Sequence, residues 1–245
     1  MLQVICARAL LSVASVVGEE DCATLAPAVR AAAHLLPARS AEAATMGSQL
    51  LLHLHCSSTA DAYTRKDVWQ PLLTLVGSLG DVEAVHAGVQ VLLKVLQTRP
   101  RAAATLRYED TPALRTLLLQ LESVHGGADA QRTAAEVLTL LADDAHARAL
   151  VKKVGAPHAL VATLRRASHM QLVAARDGTL AQHCLRALRS LAVAGGVYLD
   201  EVLSACEQDG HLRALLSKFA ARRGGSKYDD RENLMEAMSS WEVGC

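Results

Sequence analysis

A nine-residue block recurs along this chain and constrains its fold more than any other feature. The copies lie at 6–14, 47–55, 88–96, 134–142 and 184–192, with a degenerate last copy at 234–242. Their third residues are 41, 41, 46, 50 and 50 residues apart. A period of this length, filled with helix-forming residues, is typical of stacked helical repeats. The block therefore predicts an α-helical array in which each unit packs mainly on its neighbours.

The composition agrees with a helical core. Hydrophobic residues make up 51% of the 245 residues, whereas aromatic residues make up only 3%. A core of leucine, alanine and valine suits close-packed helices, whereas a β-sandwich or barrel needs β-branched and aromatic runs. No run of about 18 uncharged apolar residues occurs, so we expect neither a membrane span nor a membrane partner.

The charge balance bears on the class of partner. The chain has 25 Lys and Arg and 25 Asp and Glu, so its formal net charge is zero. Proteins that bind nucleic acid usually carry a basic excess, because neutralising phosphates dominates their affinity. The balance therefore disfavours a nucleic-acid partner.

The cysteines bear on the compartment. None of the six cysteines forms a CxxC pair. We therefore expect reduced thiols and a cytoplasmic, or at least reducing intracellular, location. A ciliary or cytoskeletal location is an alternative. A mitochondrial location is another, because no acidic residue precedes Glu19.

The fourth copy of the block shows the most complete pattern of helices. It predicts a helix over 131–142, with one apolar stripe formed by Ala134, Val137, Leu138 and Leu141. Asp144 is placed to cap a short helix over 145–154, which Gly155 would end. Pro157 then falls in the first turn of a helix that runs to about Ala167, where its missing N–H does no harm.

This order of a long helix, a short helix, Gly-x-Pro and a second long helix resembles the armadillo repeat. The resemblance is carried by Ala134-Ala135, Leu138, Leu141-Ala142 and Val154-Gly155-Ala156-Pro157-x-x-Leu160-Val161. Asp110-Thr111-Pro112, Asp209-Gly210-His211-Leu212 and, without the glycine, Val68-Trp69-Gln70-Pro71 occupy the corresponding place in other units. A HEAT-type hairpin is the close alternative for individual units.

The resemblance implies an all-α, armadillo-like, right-handed superhelical solenoid of about five to six repeats. It forms a single array over 1–245, with repeats at approximately 1–40, 41–82, 83–128, 129–178 and 179–228 and a C-terminal capping helix at 229–245. Because Val4, Leu10 and Leu11 at the N-terminal end lack a preceding neighbour, we expect more chain or another subunit to cover that end.

No motif in the sequence predicts catalysis or a cofactor. His53, His55 and Cys56 come closest to a metal site, but residues two apart on a helix point in different directions. At most one pair of ligands remains, whereas a closed zinc site needs about four. HExxH, GxSxG, GxxxxGK[ST] and GxGxxG motifs are absent. We therefore expect no enzyme activity, no metal and no cofactor.

The resemblance also implies a binding surface. In armadillo arrays two positions on each third helix project into a concave groove. The candidate partner-binding residues at these positions are Arg8, Gln49, His53, Gln90, Lys94, Glu136, Arg186 and Ser190. The nuclear-import adaptor importin alpha places Trp and Asn there; this chain does not, and its sole asparagine is Asn233. Binding of a nuclear-localisation peptide is therefore not expected.

The sequence thus predicts a non-catalytic protein–protein interaction scaffold or adaptor. It would bind a protein or an extended peptide through the concave face, and it would have no small-molecule substrate. Two alternatives stay open. One is a structural subunit of a large cytoskeletal, ciliary or ribonucleoprotein assembly, and the other is a regulatory repeat domain of a larger enzyme.

Overall fold

The computed structural model describes residues 5, 8–9, 11–12, 26–37, 40–56, 59–78, 81–123, 127–171, 178–206, 210 and 212–214. In these ranges all regular structure is helical and no strand occurs. None of the described helices is both long and apolar enough to cross a membrane. The contacts between Cα atoms divide the chain into two compact units, Met1–Leu119 and Gln120–Cys245. The predicted capping helix at 229–245 lies outside the described residues, and the repeat boundaries remain predictions.

The first unit is built from helices that follow the predicted order of the repeats. They are α1 (Ala26–Ala33), α2 (Ala41–Leu54), α3 (Ala60–Tyr63), α4 (Lys66–Val76), α5 (Val82–Thr98) and the larger part of α6 (Thr111–Glu122). Two 3₁₀ turns, Pro100–Thr105 and Tyr108–Asp110, stand where a short helix is expected. Helix α2 packs on α1 and α5, and α5 packs on α4. Two successive copies of the nine-residue block therefore lie side by side.

The second unit repeats this arrangement. After the end of α6 it contains α7 (Gly127–Asp143), α8 (Ala145–Lys153), α9 (Ala156–Gln171), α10 (Gly178–Val193) and α11 (Gly196–Ala205). Helix α10 packs on α7, α9 and α11. Each of α2, α5, α7 and α10 contains one copy of the block, and we call these four helices the third helices.

The fourth repeat has the helices that its sequence predicts. Ala134, Val137, Leu138 and Leu141 are all buried in α7. Oδ1 of Asp144 accepts the backbone N–H groups of His146 and Ala147, each at 2.9 Å, and so caps α8. Gly155 has a φ of +84°, a conformation that glycine adopts without strain, and Pro157 lies in the first turn of α9. The capping and helix-breaking residues therefore predicted the ends of α8 and the start of α9 correctly.

The prolines of the other repeats fit less uniformly. Pro112 lies in the first turn of α6, as its alignment with Pro157 predicts. Pro71, in contrast, lies inside α4, which begins at Lys66. The residues before it, Val68 and Trp69, are buried, so the helix extends over them and accepts a proline in its interior. Of the fifth-repeat motif, Asp209 and His211 lie outside the described residues.

Candidate functional site

The candidate binding residues lie on the third helices, on faces that helical periodicity defines. Gln49 and His53 on α2, Gln90 and Lys94 on α5, and Arg186 and Ser190 on α10 are each four residues apart. Side chains four residues apart lie above one another on the same side of a helix. Since α2 packs on α5 and α7 on α10, each unit presents two neighbouring copies of this stripe.

In the first unit, three of these side chains are exposed and have no polar partner. Gln49, His53 and Lys94 are exposed, and none of their side chains makes a hydrogen bond or an ion pair with another described residue. Gln90 is half-buried, and its Nε2 lies 3.0 Å from Nε2 of His86 one turn earlier. Gln90 is thus held by its own helix, whereas the other three groups are available to a partner.

Arg8, the first candidate in the chain, is already paired. Its guanidinium contacts Oε1 of Glu42 on α2 at 2.5 Å, and both side chains are exposed. An exposed ion pair of this kind contributes little to stability, about 0–1 kcal/mol. The pair nevertheless neutralises the charge at the start of the α2 stripe.

The end of α2 differs from the helical path assumed for His53, His55 and Cys56. The helix ends at Leu54, because the hydroxyl of Thr59 donates to the carbonyl of Leu54 at 2.7 Å and accepts the backbone N–H of Cys56 at 3.1 Å. His55 and Cys56 therefore lie beyond the helix, and Cys56 is only half-buried. Among the described residues no group of three or more His, Cys, Asp or Glu side chains is close enough to hold a metal.

His55 connects α2 to the neighbouring third helix. Its Nε2 lies 3.1 Å from Oγ1 of Thr98 at the end of α5, and its ring meets the edge of the Tyr63 ring at 5.1 Å between centroids. Burial lowers the pKa of His55, and the nearby ammonium of Lys94 lowers it further, against a hydrogen bond from the backbone that raises it. The positive charge of Lys94 therefore acts at the junction between the two helices.

In the second unit, two candidates contact the neighbouring third helix. Oε2 of Glu136 on α7 lies 4.0 Å from Nε2 of His183 on α10, and the hydroxyl of Ser190 on α10 donates to Oδ1 of Asp143 on α7. Arg186 is exposed, and no carboxylate of a described residue lies within 4.0 Å of its guanidinium. This stripe therefore carries both signs of charge, and most of its groups interact with one another.

The pKa of His183 is lowered mainly by burial, as is that of His55. Burial lowers its pKa most, and the guanidinium groups of Arg186 and Arg132 lower it further, whereas the carboxylate of Glu136 raises it. Burial also lowers the pKa of Arg189, and the nearby carboxylate of Asp143 partly offsets this by raising it. The surface between α7 and α10 is therefore a compact set of compensating charges.

The candidate positions differ in exposure, and the sequence did not indicate which groups lie beside them. Gln49, His53, Lys94, Arg186 and Arg8 are exposed, whereas Gln90, Glu136 and Ser190 are half-buried. His183 and Asp143 were not among the candidates: His183 lies three residues before Arg186, and Asp143 lies one residue beyond the block at 134–142. An offset of 47 residues joins Glu136 to His183 and Asp143 to Ser190. A search for polar pairs at about the repeat length would have found them.

Comparison with known proteins gives the fold. No family model matches the chain, and no curated protein matches it. An engineered protein matches with a TM-score of 0.66 and 20% identity over 99% of this chain and 93% of its own. Another engineered protein gives a TM-score of 0.64 at 16% identity, covering 98% of this chain and 90% of its own. A computationally designed armadillo repeat protein for modular peptide recognition gives 0.61 at 17% identity, covering 96% of this chain and 91% of its own. The chain therefore has an armadillo-like α-solenoid fold, as its repeated block predicts.

Proposed function

We propose that this protein is a non-catalytic interaction scaffold that binds a protein partner along its third helices. The observation that carries the proposal is the stripe of Gln49, His53 and Lys94, whose polar groups are exposed and without a partner in the described part of the chain. The similarity to a designed armadillo protein for peptide recognition supports a protein or peptide as the partner. A segment of a protein partner that lies across α2 and α5 is the ligand this arrangement suits.

Rigidity of the surface favours binding of this kind. The stripe residues lie on two packed helices whose cores are buried, so their backbone is ordered before a partner arrives. A receptor that is already ordered loses less conformational entropy on association. An extended segment also presents backbone N–H and C=O groups, with which the amide of Gln49 can exchange both a donor and an acceptor.

Charge reversal tests the proposal. We expect Lys94→Glu and Arg186→Glu, singly and together, to reduce the recovery of co-purifying proteins by about tenfold, because each replaces an exposed donor with a repelling charge. The measurement is affinity purification of the tagged chain from its native source, with quantitative identification of the captured proteins.

A matched variant separates the surface from overall charge. Lys66 is exposed at the first position of α4, which is not a third helix, so Lys66→Glu makes the same change of charge outside the candidate stripe. Its captured proteins should equal those of the wild type, and circular dichroism should show equal helicity for all variants. If the partners survive the reversal of Lys94 and Arg186, the third helices are not the interface.

We propose that the protein works in a reducing compartment. Cys184 is a buried free thiol, and burial raises its pKa to about 12. A thiol held in its protonated form reacts slowly, which fits a cysteine that fills a helical core. Thiol-trapping of the protein in cells should recover Cys184 reduced, whereas recovery of Cys184 in an intramolecular disulfide would contradict this location.

A further inference from the structure

Charge is segregated along the third helices of the first unit. The stretches 45–54 on α2 and 88–98 on α5 contain no Asp or Glu, whereas both carry basic or imidazole side chains. Glu42, at the start of α2, is paired with Arg8, and Glu83 lies in the first turn of α5. The carboxyl-terminal halves of the two helices therefore form a surface without an acidic group of their own.

The basic side chain on the α5 part of this surface has no ion-pair partner among the described residues. Lys94 is exposed, and no carboxylate of a described residue lies within 4.0 Å of its ammonium. Burial lowers the pKa of His55, which follows α2, and the charge of Lys94 adds to that lowering. Arg99, just beyond α5, differs because it pairs with Asp61 at 2.7 Å. Lys94 is therefore a basic group that a partner can reach without displacing a carboxylate.

We propose that the exposed side chains of Gln49, His53 and Lys94, which we call the patch, bind an extended peptide segment that carries Asp or Glu side chains. The inference rests on the proposed function and names the class of ligand that it takes. The ammonium of Lys94 would form a charge-assisted hydrogen bond to a side-chain carboxylate, which is roughly twice as strong as a neutral one. The amide of Gln49 and the imidazole of His53 would meet the polar backbone on either side.

The second unit is not suited to the same ligand. Its third helices carry Glu136 and Asp143 on the corresponding face, beside Arg186. An acidic side chain placed there would meet carboxylates as well as a guanidinium. We therefore locate the preference for acidic segments on α2 and α5 alone.

A nucleic acid is the other polyanion to consider, and the patch suits it less well. Single-stranded nucleic acids bind on aromatic side chains that stack with the bases. The patch contains no Phe, Tyr or Trp, and Tyr63, whose ring contacts His55, is buried and donates its hydroxyl to the carbonyl of Leu51 at 2.6 Å. The chain also lacks the net positive charge that phosphate binding requires.

Selection from a random library tests the class of ligand directly. The full chain is immobilised and exposed to a displayed library of random linear peptides, and the composition of the bound pool is compared with that of the input. We expect Asp and Glu to be enriched about threefold or more at the selected positions, since each well-placed charge contributes to discrimination. Lys94→Gln should abolish the enrichment, whereas Lys66→Gln, at an exposed lysine outside the patch, should leave it unchanged.

The outcomes separate this inference from the function on which it rests. A bound pool enriched in basic or purely apolar peptides, a pool indistinguishable from the input, or acidic enrichment that survives Lys94→Gln would each overturn the inference. A single-stranded oligouridylate that competes with the selected peptides and binds more tightly would overturn it as well. If cellular partners are still lost on reversal of Lys94, the scaffold function stands and only the acidic class is wrong; if those partners are also unaffected, both proposals fail.

Unfolding of a variant cannot imitate the expected result. Lys94 is exposed, and exposed substitutions usually change stability by less than about 0.5 kcal/mol, so thermal unfolding should be nearly unchanged. Gln49→Ala provides a second, uncharged test. It should weaken the binding of a selected peptide by about fivefold, because an exposed amide hydrogen bond is worth about 1 kcal/mol, without altering the preference for acidic residues.

Discussion

Glycine at position 47 is required by a close contact between helices. A Cβ atom there would lie 2.9 Å from Cβ of Leu35 and 3.1 Å from the carbonyl oxygen of Ala32 on α1. Neither atom is the flexible end of a side chain. At the matching position of the next block, a Cβ on Gly88 would meet first Cδ2 of Leu75, at 3.1 Å, and that methyl can rotate away. Two glycines with the same place in the repeat thus have different reasons to be there.

Alanine substitutions distinguish the two glycines. Gly47→Ala should lower the free energy of unfolding by about 1–3 kcal/mol, because the helices must separate to admit the methyl group. Gly88→Ala should change it by less than about 1 kcal/mol, because the higher helix propensity of alanine offsets the crowding. Urea denaturation of both variants measures the difference. Equal losses would mean that α2 does not approach α1 as closely as described.

The titration of His55 makes stability depend on pH. Burial lowers its pKa below the ordinary value of 6.5, so the folded chain holds the neutral ring more firmly than the unfolded chain does. The unfolded state then binds more protons below that pH, and stability must rise with pH. The contribution is complete above the unfolded pKa and is lost as the pH falls from there through the folded pKa. The pKa of His183 is lowered as well and acts in the same direction.

Replacing the ring should reduce this dependence. His55→Gln keeps a group that can bond to Thr98 but cannot titrate. The free energy of unfolding, measured by urea at about pH 7.5 and about pH 5.5, should fall less for the variant than for the wild type. If the wild type and the variant lose the same free energy of unfolding, His55 binds protons equally in the folded and unfolded states, and its burial does not make stability depend on pH.

At the scale of single helices, the clearest local signals lie in the fourth repeat. Asp144 and Gly155 mark the beginning and the end of α8 because their chemistry is local, a side-chain acceptor and a positive φ. The end of α2 was harder to predict, because the group that ends it, the hydroxyl of Thr59, acts from beyond the helix. Pro71 was harder still, since burial of Val68 and Trp69 outweighs the cost of a proline in α4.

The cap of α8 can be tested alone. Asp144→Ala removes the acceptor of two backbone N–H groups and should destabilise the protein by about 1 kcal/mol, whereas Asp144→Asn should retain most of the stability. Chemical denaturation followed by circular dichroism measures both. A loss of the same size in the two variants would show that charge, and not the hydrogen bonds, is what the position supplies.

In the candidate site, too, some features depend on a single helix and others on the packing of two helices. Gln49, His53 and Lys94 could be assigned from the sequence, because their exposure follows from the position in the block and the period of one helix. The pairing of Glu136 with His183 could not, because it depends on how far α10 is shifted along α7. That shift is set by the packing of the whole interface, which no single helix encodes.

At the scale of the molecule, polar contacts join residues that are about one repeat apart. The separations are 40 residues for Gln70 with Asp110, 43 for His55 with Thr98, 44 for Thr139 with the carbonyl of His183 and 47 for Ser190 with Asp143. Such contacts add little stability each, since a typical hydrogen bond contributes about 1 kcal/mol. They do fix how each helix is aligned with the next, which the apolar core alone leaves less well defined.

The contacts between repeats have a consequence for the history of the chain. Between the second and third predicted repeats an amide meets a carboxylate and an imidazole meets a hydroxyl, whereas between the fourth and fifth a hydroxyl meets a backbone carbonyl. A unit moved to another place would therefore lose these side-chain contacts unless its new neighbour offered a matching group. The repeats of this protein are therefore not interchangeable. After any change in their order, the residues at the new junctions would have to change as well.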